Sequence, residues 1–248
     1  MVHRFEGKIA LVTGGTAGIG LAIAKRFRDE GATVIVCSRK GASVEKVKAE
    51  LSCDGLACNV SMGADRSRLF EFIKNKYGQL DIAVLNAATS LSFGPTTDCE
   101  PSKWDKMMET NVKANWMLAN QLLPMITKET GSIVLVSSYA GYNPDSPIGV
   151  YGVTKTALLG LTRMLANEYG RTSRIRVNCV APGVIETGFS RPLWESDEVR
   201  NISESASPLG RIGRPEEVAG PVAFLASQDA AYITGETLVI AGGTHCRL

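Results

Sequence analysis

Short unbroken runs of Val, Ile and Leu alternate with helix-length stretches along all 248 residues, and few folds satisfy that rhythm. The runs fall at 9–13, 33–38, 56–60, 82–85, 132–137, 175–181 and 237–241. Between them, helical patterns occupy 20–30, 44–51, 64–77, 104–126, 151–169 and 215–226. A strand that is apolar at consecutive positions, rather than at alternate ones, needs cover on both faces. Strand–helix alternation supplies that cover by placing helices on either side of a parallel sheet. The expectation is an α/β chain, a single doubly wound domain over residues 1–248 with a seven-stranded parallel sheet. No internal repeat, low-complexity segment or linker divides it. Two irregular stretches, 87–102 and 183–214, break the rhythm. The second is long for a passive connection and carries Phe189 and Trp194 between possible hinges at Gly183, Gly188 and Gly210. It reads either as a substrate lid or as a surface excursion with its own short helix.

Composition narrows the function classes. Lys+Arg 27 against Asp+Glu 25 leaves a net charge of +2, which predicts neither a nucleic-acid partner nor an anionic membrane surface. No apolar run approaches the roughly 18 residues that span a bilayer, and the N-terminus lacks the apolar core of a secretory signal. The six cysteines are scattered without a Cys-x-x-Cys, as expected of a reduced intracellular protein. Its two histidines, His3 and His245, sit at the extreme ends. Neither a histidine triad nor a histidine-rich metal site can be built from them, so no metal is predicted, and acid–base work would fall to Tyr, Lys, Asp or Glu.

Directly after the first run comes Thr13-Gly-Gly-Thr-Ala-Gly-Ile-Gly20, opening a helix. Gly14, Gly18 and Gly20 permit a tight turn, close backbone approach to a pyrophosphate, and close helix–sheet packing. The following helix N-terminus offers N–H groups and a positive dipole end to phosphate. With this cradle the fold expectation becomes a Rossmann-type dinucleotide site, and no Gly-Lys-Ser/Thr follows to make a P-loop. An NAD site would carry a carboxylate at the end of the second strand for the ribose 2′-hydroxyl. Here the strand runs Val34-Ile-Val-Cys-Ser-Arg-Lys40, so Ser38 and Arg39 take that place. A guanidinium suits a 2′-phosphate, which points to NADPH.

Tyr151 and Lys155 stand four residues apart in a predicted helix, hence on one face. A free tyrosine, with a pKa near ~10, is a poor acid–base catalyst at neutral pH. Bringing it to ~7 requires roughly 4 kcal/mol in favour of the phenolate. One cation about 4 Å away at an effective dielectric of ~20 is sufficient for that. Spacing alone is a weak signal, because most such pairs are solvated surface residues.

The motifs Thr13-Gly-x-x-x-Gly-x-Gly20, Asn86-Ala-Ala88, Asn111, Ser137-Ser138, Tyr151-x-x-x-Lys155 and Pro182-Gly183 with Thr187, in this order, resemble the short-chain dehydrogenase/reductase family over nearly the whole chain. The resemblance implies Tyr151 as the general acid toward a carbonyl oxygen and Lys155 as the group that lowers its pKa and holds the nicotinamide ribose. Ser138 would position the substrate oxygen, and Asn111 would kink its helix and hold a relay water toward Lys155. Cofactor contacts would come from Gly14, Thr16, Gly18, Ile19, Gly20, Ser38, Arg39, Asn59, Val60, Asn86, Ala87, Tyr151, Lys155, Pro182, Gly183, Ile185 and Thr187. Asn86 would help hold the adenosine ribose, and Thr187 would bond the carboxamide. Asn59 departs from the family's usual Asp-Val pair and would still accept from the adenine amine. No basic residue precedes Gly18, which leaves Arg39 to meet the phosphate.

Ser190-Arg-x-Leu-Trp194, Ala230-Ala-Tyr-Ile-Thr-Gly-Glu236 and Gly242-Gly-Thr244 are similar to NADPH-dependent carbonyl and retinal reductases of that family. That resemblance implies reduction of ketones or aldehydes and a homotetramer. A 3-oxoacyl-thioester or hydroxysteroid dehydrogenase stays open on the same scaffold, as does an NADPH-binding regulator without turnover. The ending Cys246-Arg247-Leu248 is a small–basic–leucine variant of a peroxisomal address, so an import receptor is an expected partner; otherwise the location is cytoplasmic. Tyr139, Tyr142, Phe189 and Trp194 are candidate walls for a bulky apolar carbonyl.

Overall fold

The computed structural model describes residues 3–244, so the Cys246-Arg247-Leu248 ending lies outside the described residues. In chain order the elements are β1 (Ile9–Thr13), α1 (Gly18–Asp29), β2 (Thr33–Ser38), α2 (Gly41–Leu51), β3 (Asp54–Ala57), α3 (Gly63–Tyr77) and β4 (Ile82–Leu85). There follow α4 (Pro101–Met108), α5 (Ala114–Leu122), β5 (Ser132–Val136), α6 (Gly149–Ser173), β6 (Arg176–Pro182), α7 (Asp197–Ser205), α8 (Pro215–Ala226) and β7 (Thr237–Ile240). All seven strands pair in parallel in the order β3-β2-β1-β4-β5-β6-β7.

Continuous apolar runs feed two cores at once. On β1, Ala10 and Val12 point to one face while Leu11 points to the other. The first core includes Ile23 and Phe27 of α1, Val44 and Val47 of α2, and Val218 and Val222 of α8. The opposite core includes Leu69 and Ile73 of α3, Leu118 and Leu122 of α5, and Leu158 and Leu165 of α6. The strand order reverses between β1 and β4, where the chain leaves two neighbouring strand ends in opposite directions. A crevice opens at such a point and receives ligands in sheets of this kind.

Two boundaries differ from the sequence expectation in ways that matter for the site. The third strand spans Asp54–Ala57 rather than 56–60. The Cys58 N–H still donates to the Ser38 carbonyl at 2.9 Å, and Asn59 and Val60 then leave the sheet, held by α3: Asp65 accepts from the Asn59 N–H at 2.8 Å and Arg66 donates to the Val60 carbonyl at 2.7 Å. The expected helix 104–126 is interrupted by a π-helical turn over Glu109–Lys113, centred on Asn111. Such turns bulge the helix by one residue and re-aim its side chains. Segment 183–214 contains a short 3₁₀ turn, Arg191–Leu193, and helix α7. Among the described residues, no helix is long and apolar enough to cross a membrane.

Candidate active site

A cleft of about 810 Å³ runs along the C-terminal strand ends. Its floor is the turn between β1 and α1, where Gly14 and Gly18 adopt positive φ of +64° and +52°. A Cβ on Gly20 would lie 2.3 Å from the Gly14 carbonyl oxygen and 2.6 Å from Asn86 Nδ2, so only glycine lets this turn close. No side chain caps the N-terminus of α1 and no acidic residue occupies its first turn. The backbone there suits an anion, and the cradle fits a dinucleotide pyrophosphate.

The structure brings the predicted cofactor positions to this one cleft. Gly14, Thr16, Gly18, Ile19, Gly20, Ser38, Arg39, Asn59, Val60, Asn86, Ala87, Tyr151, Lys155, Pro182, Gly183, Ile185 and Thr187 all line it, with Ser138. Several are committed to other contacts. Asn86 Nδ2 donates to the Thr13 carbonyl at 2.9 Å, bracing β4 against β1. Asn59 Oδ1 accepts from both the Ser61 N–H and its hydroxyl, at 3.3 and 3.0 Å, an Asx turn that occupies the oxygen expected to face an adenine amine. Arg39 is exposed at the end of β2 and has no hydrogen-bond or ion-pair partner among the described residues. Its fork of donors faces the cleft uncompensated.

The opposite end holds Ser138, Tyr151 and Lys155. Two glycines bring them together. A Cβ on Gly141 would lie 2.8 Å from Lys155 backbone, and one on Gly152 would lie 2.8 Å from the Ala140 carbonyl. Without either side chain, the first turns of α6 press onto the 3₁₀ turn Tyr139–Gly141 that follows Ser138. Ser137 Oγ donates to the Lys155 carbonyl at 2.8 Å and Thr156 Oγ1 to the Gly141 carbonyl at 2.6 Å, locking the contact.

Electrostatics here depart from the expectation that one cation suffices to lower the phenol. Lys155 is 2% exposed, and its Nζ donates to the Val136 carbonyl at 2.7 Å, 5.4 Å from the Tyr151 ring centroid. Burial lowers its pKa from 10.5 to about 8. Burial also pushes the Tyr151 phenol above its ordinary value, and contact with the Ser138 hydroxyl draws it only partly back. Desolvation is thus the largest effect on the phenol, which lies above its ordinary value, and Tyr151 stays protonated at neutral pH. That is the state a proton donor requires.

Asn111 is fully buried and does not line the cleft. Its Oδ1 accepts from the Thr89 N–H and its Nδ2 donates to the Thr89 carbonyl, both at 2.8 Å. Nδ2 also donates to Thr154 Oγ1 at 3.0 Å, and its own carbonyl accepts from Asn115 Nδ2 at 2.6 Å. The π-turn thus ties the segment after β4 to α6, beside Tyr151. Of the expected walls, Tyr139 and Phe189 line the cleft, whereas Tyr142 and Trp194 do not. Leu91, Phe93, Ile148 and Leu193 line it instead. Leu91 and Phe93, apolar residues in the otherwise small and polar stretch 87–102, were the available signal. Among the described residues, the charged side chains that line the cleft are Arg39 and Lys155.

Comparison with known proteins agrees with this geometry. A family profile described as enoyl-(acyl carrier protein) reductase matches residues 14–245. The chain is 47% identical to dehydrogenase/reductase SDR family member 4 of Bos taurus, over 99% of this chain and 90% of that one. It is 46% identical to tropinone reductase-like 3 of Erythroxylum coca, over 99% and 96%. Among solved structures, the Pseudomonas aeruginosa RhlG/NADP active-site complex superposes with a TM-score of 0.90 at 33% identity, covering 99% of this chain and 100% of that one. Identity at this level over the full length, on the same fold, makes the chain an NAD(P)-dependent oxidoreductase belonging to the short-chain dehydrogenase/reductase family.

Proposed function

We propose that the protein reduces neutral, apolar ketones or aldehydes to alcohols with NADPH. The observation that carries this reading is the convergence of Ser138, Tyr151 and Lys155 on the cleft that begins at the glycine cradle. The cofactor supplies a hydride from nicotinamide C4 when bound. Ser138 and the Tyr151 hydroxyl hold the carbonyl oxygen of the substrate. Tyr151 gives its proton to that oxygen as charge develops on it, and the Lys155 ammonium stabilises the phenolate left behind. Asn111 keeps α6 and the segment after β4 in register around the site. Segment 183–214 serves as the lid, bringing Phe189 to 5.7 Å from the Tyr151 ring. Among the described residues, no charged side chain other than Arg39 and Lys155 lines the cleft with Leu91, Phe93, Ile148 and Leu193, which favours a neutral substrate.

The preference for NADPH rests on Arg39, exposed and without a carboxylate partner where an NAD site would present an acid. Arg39→Asp is expected to raise the KM for NADPH by roughly 10- to 100-fold, the range of a charge-assisted contact, while the KM for NADH changes little. Equal responses to the two cofactors would contradict the assignment. A panel of ketones, α-dicarbonyls, retinal-like aldehydes, ketosteroids and a 3-oxoacyl thioester, followed by NADPH absorbance, tests the substrate class. The reading requires turnover with the neutral apolar carbonyls. Turnover confined to the thioester or steroid would replace it by the dehydrogenase alternative, and tight NADPH binding with no turnover would indicate a nucleotide-binding regulator.

A further inference from the structure

Trp194 sits in the lid without lining the cleft, yet its indole N–H is shared between the Thr187 carbonyl and Ser190 Oγ, each at 3.1 Å. Ser190 Oγ is a hub: it donates to the Ile185 carbonyl and lies 3.0 Å from Thr187 Oγ1, which in turn accepts from the Ser190 N–H at 3.3 Å. The indole is held from its other side by the Arg200 guanidinium, 5.6 Å from the ring centroid. Arg200 also pairs with Glu186 at 3.7 Å and Glu204 at 3.4 Å, so helix α7 is fastened to the start of the lid through this stack.

Two contacts give the hub functional reach. A Cβ on Gly18 would lie only 3.1 Å from Thr187 Cγ2, so Thr187 packs directly on the phosphate-cradling turn across the cleft. Two residues further along, Phe189 packs on Tyr151. The short segment between Ile185 and Trp194 therefore touches the cofactor floor and the proton donor together.

We propose that Trp194 is a positioning residue whose indole N–H, acting through Thr187 and Ser190, seats the lid on the glycine turn and on Tyr151, so that cofactor grip and the substrate wall are set by one bond network. This inference rests on the reading of the site as NADPH-dependent carbonyl reduction. Trp194→Phe keeps an aromatic ring for Arg200 and removes the donor. NADPH binding, followed by cofactor fluorescence, is expected to weaken roughly tenfold, and the KM for a ketone substrate to rise by a similar factor. The kcat at saturation should stay within about twofold and its pH profile should keep its shape, because Ser138, Tyr151 and Lys155 lie on other elements. A merely structural loss would lower all parameters together with the melting temperature.

Ser190→Ala removes the other side of the same network. Residues that act through one hub are non-additive, so the double variant should be no weaker than the worse single one. Unchanged NADPH affinity and KM in both single variants would overturn the proposal, as would additive effects or a fall in kcat alone. Wild-type protein that neither binds nor oxidises NADPH overturns the functional reading as well. Active wild type with unaltered variants overturns the role of Trp194 only.

Discussion

Tyr151→Phe is expected to lower kcat by about 10²- to 10⁴-fold, the usual contribution of a positioned general acid, while the Kd for NADPH stays within about twofold. The substitution removes one oxygen from a side chain that is 9% exposed, and the ring's packing against Phe189 at 5.7 Å remains. A fold defect is therefore not the expected outcome, and the melting temperature should change little. Because burial holds this phenol above its ordinary pKa, the wild-type reductive rate should show no limb at neutral pH that belongs to Tyr151. Steady-state kinetics beside cofactor titration check both halves. Equal loss of binding and turnover would move Tyr151 from proton donor to cofactor contact.

Lys155→Met separates catalysis from stability. Removing the ammonium that faces the developing phenolate should cost about 10²- to 10³-fold in kcat, the scale of one lost electrostatic donor in a dry site. The kcat/KM profile of the wild type should also fall as pH rises through about 8, where the buried ammonium is lost, and the variant should lack that limb. The effect on stability runs the other way. The folded chain holds the Lys155 proton less tightly than the unfolded chain, whose lysine titrates near 10.5. Wild type therefore carries a charging penalty that is complete below pH 8 and disappears as pH rises from about 8 toward 10.5. A depression from 10.5 to about 8 corresponds to about 3 kcal/mol. The unfolding free energy of wild type relative to Lys155→Met should rise by about that amount from pH 7 to the upper end of the window. Denaturant titrations at the two pH values measure the difference directly, and a pH-independent difference would mean that Lys155 is not buried as a cation.

The sheet and cradle were legible because their signals are local. β1, β2 and β4 have the predicted bounds, since each is a continuous apolar run closed by a turn residue. The third strand was misplaced because its pairing is decided by Gly55, where a Cβ would lie 2.9 Å from the Val36 carbonyl and 2.8 Å from Val44 Cγ1. Asn59 and Val60, which follow it, are held away by Asp65 and Arg66, contacts that no hydrophobic period encodes. The π-turn at Asn111 is likewise invisible to a 3.6-residue period, which one extra residue shifts without abolishing.

Which residues meet in the cleft was legible; their environments were not. Spacing placed Tyr151 and Lys155 on one helix face, but the depth of both side chains comes from the approach of Gly141 and Gly152 to neighbouring backbone. That approach makes desolvation the larger effect on both groups. Trp194, aromatic and close to the site in sequence, is an expected pocket wall. Its indole N–H instead turns back along its own segment toward Thr187 and Ser190, a direction that only the three-dimensional course of residues 183–214 reveals.

We propose hydride transfer to a carbonyl with Tyr151 as the acid. The direct measurement uses NADPH bearing deuterium on the transferring face of nicotinamide C4, with a ketone that the wild type turns over. The product alcohol should carry one deuterium on its carbinol carbon, formed by wild type and suppressed by about 10²-fold or more in Tyr151→Phe. Alcohol lacking the label, or labelled product formed at equal rates by the two proteins, would contradict it.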